Sequence, residues 1–214
     1  GYTISDGNNG QATGVVAVTV APVNDNPVAV NDEAVTLEDT AVTLDVDAND
    51  TDADGDALNV ISVELGVSGG VVLNPNGTVT YTPDANYSGV DTFKYTVSDG
   101  HSGQATGTVT VTVSGVNDAP TAVNDSATTN SGAAVAVAVL ANDSDVDGDA
   151  MTVTSVTPPA SGTATINANN TVTYTPADGF SGDDQFSYTI SDGNLSASAT
   201  VSVSVSASQG LVNG

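Results

Sequence analysis

The feature that most constrains this chain is an internal repeat without gaps. Ser-Asp-Gly stands at 5–7, 98–100 and 191–193, two equal steps of 93 residues. The same offset carries Asp25 and Pro27 onto Asp118 and Pro120, and Asp50, Asp52, Asp54, Gly55 and Asp56 onto Asp143, Asp145, Asp147, Gly148 and Asp149. It also carries Tyr81 and Pro83 onto Tyr174 and Pro176, and Gly89, Asp91, Phe93 and Tyr95 onto Gly182, Asp184, Phe186 and Tyr188. A register kept this long without insertion means tandem copies of one folding unit. The expected division is the final hairpin of a preceding repeat (1–21), a full repeat (22–114), a second full repeat (115–207) and a tail (208–214).

Inside each repeat the hydrophobic period is two. Phe93, Tyr95 and Val97 alternate with Thr92, Lys94 and Thr96, while Val109, Val111 and Val113 alternate with threonines. Val42, Leu44 and Val46, and the pair Val79 and Tyr81, follow the same rule. Such alternation describes strands with one buried face. The alanine-rich stretch 133–142 keeps alternating valines and is read as strand too. Asn76-Gly77 predicts a two-residue hairpin turn. The fold class expected is all-β, as tandem immunoglobulin-like or cadherin-like sandwiches with seven strands per repeat.

Composition then narrows the function. The chain has 26 acidic residues against a single Lys or Arg, for a formal net charge of −25. Nothing is available to neutralise phosphates, so nucleic acid is excluded as a partner, and an anionic membrane surface would repel the chain. The absence of cysteine removes disulfides, zinc thiolates and thiol nucleophiles. With one histidine, His101, and no assembled acid–base constellation, an enzyme is not expected. No apolar run approaches the ~20 residues of a membrane span, so no membrane insertion is expected. All but three of the acids are Asp, and they crowd into DANDTDADGD and NDSDVDGD. Aspartate in turns, at alternate positions, aims several short carboxylates at one point, and Gly55 and Gly148 allow the tight bend. Crowded carboxylates of this kind point to a cation, and an oxygen-only set suits Ca²⁺. The loop resembles the start of an EF-hand. Ile61 and Thr154 stand where that motif needs its bidentate Glu, so further ligands must come from elsewhere. Asp56 and Asp149 are read as turn-stabilising, and His101 as an exposed bystander, since Asn194 replaces it one repeat on.

The succession VTLEDTAVTLDVDANDTDADGDAL, YTPDANYSGVDTFKYTVSDG, ATGTVTVTV and GVNDAP resembles the bacterial cadherin-like tandem repeats of large secreted adhesins, including those of the RTX type. The resemblance covers the whole chain. It implies Ca²⁺ at the junctions between successive domains. Matched residue by residue, it assigns ligands to the linkers (Asn24, Asp25 and Asn26, then Asn117 and Asp118) and to the loops after the second strand (Asp52 and Asp54, then Asp145 and Asp147). It adds Asp99 and Asp192 at the end of the sixth strand, and Glu38 near the first strand. Asp91 is open to two roles, ligand or loop cap, and Asp184 likewise. The second repeat lacks an acid around Asn130-Ser131, and the ending SASQGLVNG has no further Asn-Asp-x-Pro linker, so no calcium junction is expected at its lower end.

These observations imply a calcium-rigidified extender of a cell-surface adhesin or extracellular fibre, secreted, with neighbouring repeats as its partners. Two other classes stay open. Chains of this kind would also polymerise into filaments if the 1–21 hairpin completed a neighbour by strand addition. A carbohydrate-binding module is the third, although the six Tyr and three Phe fall mostly on inward positions rather than on exposed platforms.

Overall fold

A computed structural model describes residues 1–208. The chain divides into two compact units, the first ending at Ser114 and the second starting at Gly115. The first opens with a hairpin of β1 (Tyr2–Ser5) and β2 (Gln11–Gly14), which among the described residues pair only with each other. Beyond it, Val15, Val16, Val18 and Val20 are exposed. The rest of the unit is a sandwich of seven strands: β3 (Asp32–Leu37), β4 (Val42–Leu44), β5 (Asn59–Val63), β6 (Gly69–Leu73), β7 (Val79–Pro83), β8 (Gly89–Ser98) and β9 (Gln104–Ser114). One sheet runs β3-β9-β8-β5 and the other β4-β7-β6. The second unit repeats the plan with β10 (Asp125–Asn130), β11 (Val135–Val137), β12 (Thr152–Val156), β13 (Gly162–Ile166), β14 (Val172–Pro176), β15 (Gly182–Ser191) and β16 (Ser196–Ser206). Its sheets are β10-β16-β15-β12 and β11-β14-β13. The tail assigned to 208–214 falls, after Ser208, outside the described residues.

Among the described residues, all strand pairings are antiparallel but one per sandwich. The first strand runs parallel to the last, Asp32 opposite Val109 through Leu37 opposite Ser114, and Asp125 opposite Val201 through Asn130 opposite Ser206. The cores are built from valine and tyrosine, as the alternation requires. Val79, Tyr81, Phe93, Tyr95, Val97, Val109 and Val111 are buried in the first, and Val172, Tyr174, Phe186, Tyr188, Ile190, Val201 and Val203 in the second. Val42 and Leu44 pack against the first core from its edge and are only partly buried. Each buried Val or Phe side chain contributes roughly 1.5–3 kcal/mol. Tyr81 stacks on Phe93 with ring centroids 6.0 Å apart, and Tyr174 on Phe186 at 6.2 Å.

Two local expectations are corrected. The hairpin at Asn76-Gly77 is a three-residue loop, closed by Asn74 N–H to Thr78 O at 2.8 Å, with Gly77 at φ 90° after the turn. In the second sandwich Asn170, at φ 61°, fills that left-handed place. The stretch 133–142 is strand only over Val135–Val137. Val139–Ala141 then form a single 3₁₀ turn that sinks Val139 into the core.

Candidate metal centre

The acids gather at the end of each sandwich where its linker enters. In the first, an isolated bridge between Val28 and Thr51 ties the linker to the loop after β4, with N–H to O distances of 2.7 and 3.1 Å. Asn24 Nδ2 then donates to Asp99 Oδ2 (2.8 Å), and Asp25 N–H donates to Asp54 Oδ2 (2.7 Å). Within the loop Asp52 Oδ1 accepts from Asp54 N–H (2.8 Å) and Asp56 N–H (3.3 Å). Gly55 closes this bend at φ +80°, with nothing within 4 Å of the place a Cβ would take. Asp99 Oδ1 accepts from His101 N–H (2.7 Å) and Gly103 N–H (2.9 Å).

The second sandwich reproduces the lattice. Asn117 Nδ2 donates to Asp192 Oδ2 (3.0 Å), Asp118 N–H to Asp147 Oδ2 (2.8 Å), and Asp145 Oδ1 accepts from Asp147 and Asp149 N–H at 3.0 and 3.2 Å. Asp192 Oδ1 accepts from Asn194 and Leu195 N–H. The asparagine amide, and after it the loop N–H groups, holds both Asp99 and Asp192 below the usual carboxylate range. Both stay ionised where an ion would need them.

The donor set fits a hard cation. Asp52, Asp54 and Asp56 each offer a carboxylate oxygen, all within 4.8 Å of one another. Asp52 Oδ2 is shielded from solvent and accepts no hydrogen bond, and Asp145 Oδ2 is in the same condition one repeat later. A buried carboxylate oxygen with no donor is costly unless something positive meets it. Backbone amides take up Asp52 Oδ1 and Asp145 Oδ1 and leave Oδ2 of each to ligate, while both oxygens of Asp99 and Asp192 already accept hydrogen bonds. Such preorganisation suits Ca²⁺, which takes six to eight oxygens at about 2.3–2.6 Å.

Other expected residues find different places. Asn26 is exposed beside Gly103 and Asp99. Glu38 follows β3, is 5 % exposed, and donates its N–H to Ser114 O (2.9 Å). Asp91 lies buried on β8, and its two oxygens accept from Val67, Ser68 and Thr92 N–H and from Tyr81 Oη. Of its two weighed roles these bonds describe the loop anchor, and Asp184 with Tyr174 repeats it. Burial pushes the Asp91 carboxyl up, yet these four donors together hold it below the usual range. Asp56, read from the sequence as turn-stabilising, donates its N–H into the loop and stands close to the loop's other acids. One of its carboxylate oxygens lies within 4.8 Å of those of Asp52 and Asp54, because the bend at Gly55 turns these alternate positions toward one point. His101 is exposed, but it does have a partner: its Nδ1 lies 3.0 Å from Asp56 Oδ2.

Two tandem β-sandwiches with acid-lined entry loops define a class of immunoglobulin-like and cadherin-like modules. The bacterial Ig domain family matches residues 24–112 and 117–204, and the chain belongs to that family. Among solved structures, the first two repeats of human protocadherin-24 are 20% identical, cover 85% of this chain and 99% of their own, and superpose with a TM-score of 0.54. Repeats 1–4 of Drosophila N-cadherin are 16% identical, with coverage of 85% and 50% and a TM-score of 0.53. The endo-fucoidan hydrolase MfFcnA4 from glycoside hydrolase family 107 is 24% identical over 89% of this chain, at a TM-score of 0.36. This chain spans only 30% of that enzyme's length. No curated protein matches. The cadherin likeness shows the fold. Among the described residues, no helix is long and apolar enough to cross a membrane.

Proposed function

We propose that this chain is a non-catalytic, calcium-binding structural module of an extracellular adhesion protein, in which ions held at the linker end of each sandwich stiffen the chain. The observation that carries this reading is duplication. Linker, Asp loop and Ser-Asp-Gly turn are stitched by the same hydrogen bonds in both sandwiches, and at equivalent places a shielded carboxylate oxygen, Asp52 Oδ2 or Asp145 Oδ2, is left without a donor. Asn24, Asp52, Asp54 and Asp99 would hold the ion in the first sandwich, with Asp25 and Asn26 beside them. Asn117, Asp145, Asp147 and Asp192 would hold it in the second, with Asp118. For the linker at 115–120 the adhesin resemblance adds Glu38. The ion supplies charge neutralisation and no chemistry of its own. At a net charge of −25 the ion-free chain repels itself. A cation that binds only the folded form adds about 2.7 kcal/mol at a hundredfold excess over Kd.

Calorimetric titration of Ca²⁺ and Mg²⁺, with X-ray scattering before and after, tests the proposal. Ca²⁺ should bind with at least one ion per sandwich, outcompete Mg²⁺ and reduce the spread of chain dimensions. The double change Asp145→Ala and Asp147→Ala should remove the second sandwich's share while leaving its fold intact. Titration without heat, or an unaltered stoichiometry in that variant, sinks the idea. The exposed valines at 15, 16, 18 and 20 support a second reading, filament assembly by strand addition. Concentration-dependent sedimentation separates it from the first.

A further inference from the structure

At the base of the entry loop, where it meets the first strand, each sandwich holds a second polar group of acids that the calcium reading does not use. Its centre is a tyrosine hydroxyl with too few protons. Tyr95 Oη lies 2.9 Å from Val30 O and 3.0 Å from Asp50 Oδ1, and the Asp32 carboxyl meets the same hydroxyl. A phenol donates one proton. Asp50 Oδ1 also accepts Val30 N–H (2.7 Å), and Asp32 Oδ1 accepts Asn49 Nδ2 (3.1 Å). Asp32 Oδ2 and Asp50 Oδ2 remain, both shielded from water and both without a donor.

The second sandwich repeats the shortage independently. Tyr188 Oη lies 2.9 Å from Val123 O, 3.2 Å from Val139 O, and 3.1 and 3.2 Å from the two oxygens of Asp143, and Asp125 shares it. Val123 N–H occupies Asp143 Oδ1 at 2.7 Å. Asp125 Oδ2 is buried with no donor.

We propose that Asp32 and Asp125 are proton-binding positions: each takes up one proton on acidification and donates it into the Tyr95–Asp50 or Tyr188–Asp143 group, tightening the first strand of its sandwich onto the loop after the second. One proton on Asp32 turns an orphaned acceptor into a donor and removes the repulsion with Asp50. Among the described residues none supplies a donor to Asp32 Oδ2. The groups facing Asp32 are Asp50, Tyr95 and Asn49, with Asp47 and Asp45 beyond Asp50, while its ladder partner on β9 is the uncharged Val109. Those facing Asp125 are Asp143, Tyr188 and Asn142, opposite Val201 on β16. Burial, and then the neighbouring carboxylate, raises both carboxyls above the usual range against the pull of the tyrosine and asparagine bonds. A raised folded pKa adds stability that is complete below the unfolded value near 3.8 and is lost as pH rises through the folded one.

The test uses the full chain and the double substitution Asp32→Asn, Asp125→Asn, because an amide carries N–H where the protonated acid carries O–H. Melting is followed from neutral pH down to about pH 4, the usual aspartate range, with EDTA and again with Ca²⁺. The variant should melt several degrees higher than the parent at neutral pH, and the gap should close on acidification as the parent binds its own protons. A gap of either sign that does not change with pH overturns the proposal. So does a gap that Ca²⁺ abolishes at neutral pH, since an ion would then be satisfying the pair. Should the variant fold poorly, ¹³C carboxyl titration of Asp32 and Asp125 in the parent decides: midpoints at or below the usual aspartate value overturn it.

Discussion

Replacing Asp91 by alanine removes one carboxylate that four donors share. Val67 N–H (3.1 Å), Ser68 N–H (2.9 Å), Thr92 N–H (2.8 Å) and Tyr81 Oη (3.0 Å) all end on it, and the residue is 4 % exposed. A hydrogen bond to a charged group contributes about 1.5–3 kcal/mol, and a buried donor left unmet costs about 1–3 kcal/mol. These terms overlap, and burying the carboxylate itself costs free energy, so the net loss expected is about 3–5 kcal/mol. For a domain of this size 1 kcal/mol moves Tm by roughly 4–8 °C, so the transition of 22–114 should fall by about 12 °C or more. The transition of 115–207 should not move. Tyr81→Phe removes one of the four bonds and should cost less, about 1.5 kcal/mol. The sign of the pH dependence follows from the lowered carboxyl. Its contribution is present above the unfolded value near 3.8 and is lost as pH falls through the folded one, so the alanine variant should show a shallower acid limb. Calorimetry resolves both domains, and calcium titration of the same protein reads the alternative role. A loss under about 1 kcal/mol, or a full fold with one calcium site missing, would refute the anchoring argument.

Gly148→Ala isolates backbone strain, because φ is +79° and an added Cβ meets nothing within 4 Å. Placing alanine in the left-handed region costs about 1–2 kcal/mol. The second sandwich should lose that much stability and bind calcium more weakly, as measured by melting and titration. Asn24→Ala deletes the 2.8 Å bond that contributes most to holding Asp99 low. By NMR its carboxyl should titrate higher, so stability it provides above the ordinary aspartate value starts to fall away earlier on acidification. An unmoved Asp99 titration would show that the loop N–H groups suffice.

The sandwich was readable in the chain because its information is periodic. A strand with one wet face must alternate, so Phe93, Tyr95 and Val97 announce both strand and core, and the offset of 93 residues says it again at Phe186, Tyr188 and Ile190. The Asp loop was readable from its chemistry, since short carboxylates at alternate positions around a glycine bend converge on one point. What escaped depends on partners far along the chain. Tyr95 reads as core, and it is core, but only the fold brings its hydroxyl to Asp50, 45 residues away, and to Asp32. Asp91 meets the 67–68 amides across 23 and 24 residues, which no spacing rule reveals. The pairing of His101 with Asp56 has no counterpart at Asn194, so repetition, the strongest signal in the sequence, argued against it. Asn76-Gly77 misled by composition: the dipeptide is common to several hairpin types, and the closing pair is Asn74 with Thr78.

The parallel pairing of first and last strands has a mechanical consequence. A chain pulled from its two ends loads β3 at its beginning and β9 at its end, and in a parallel pair those lie at opposite ends of the ladder. The six residue pairs from Asp32–Val109 to Leu37–Ser114 are then dragged past one another together, whereas a hairpin pulled from its open end unzips one rung at a time. Yielding requires the whole rung set to slip at once, so tension along the polypeptide meets each sandwich in its most resistant direction, and β10 with β16 presents the same shear lock.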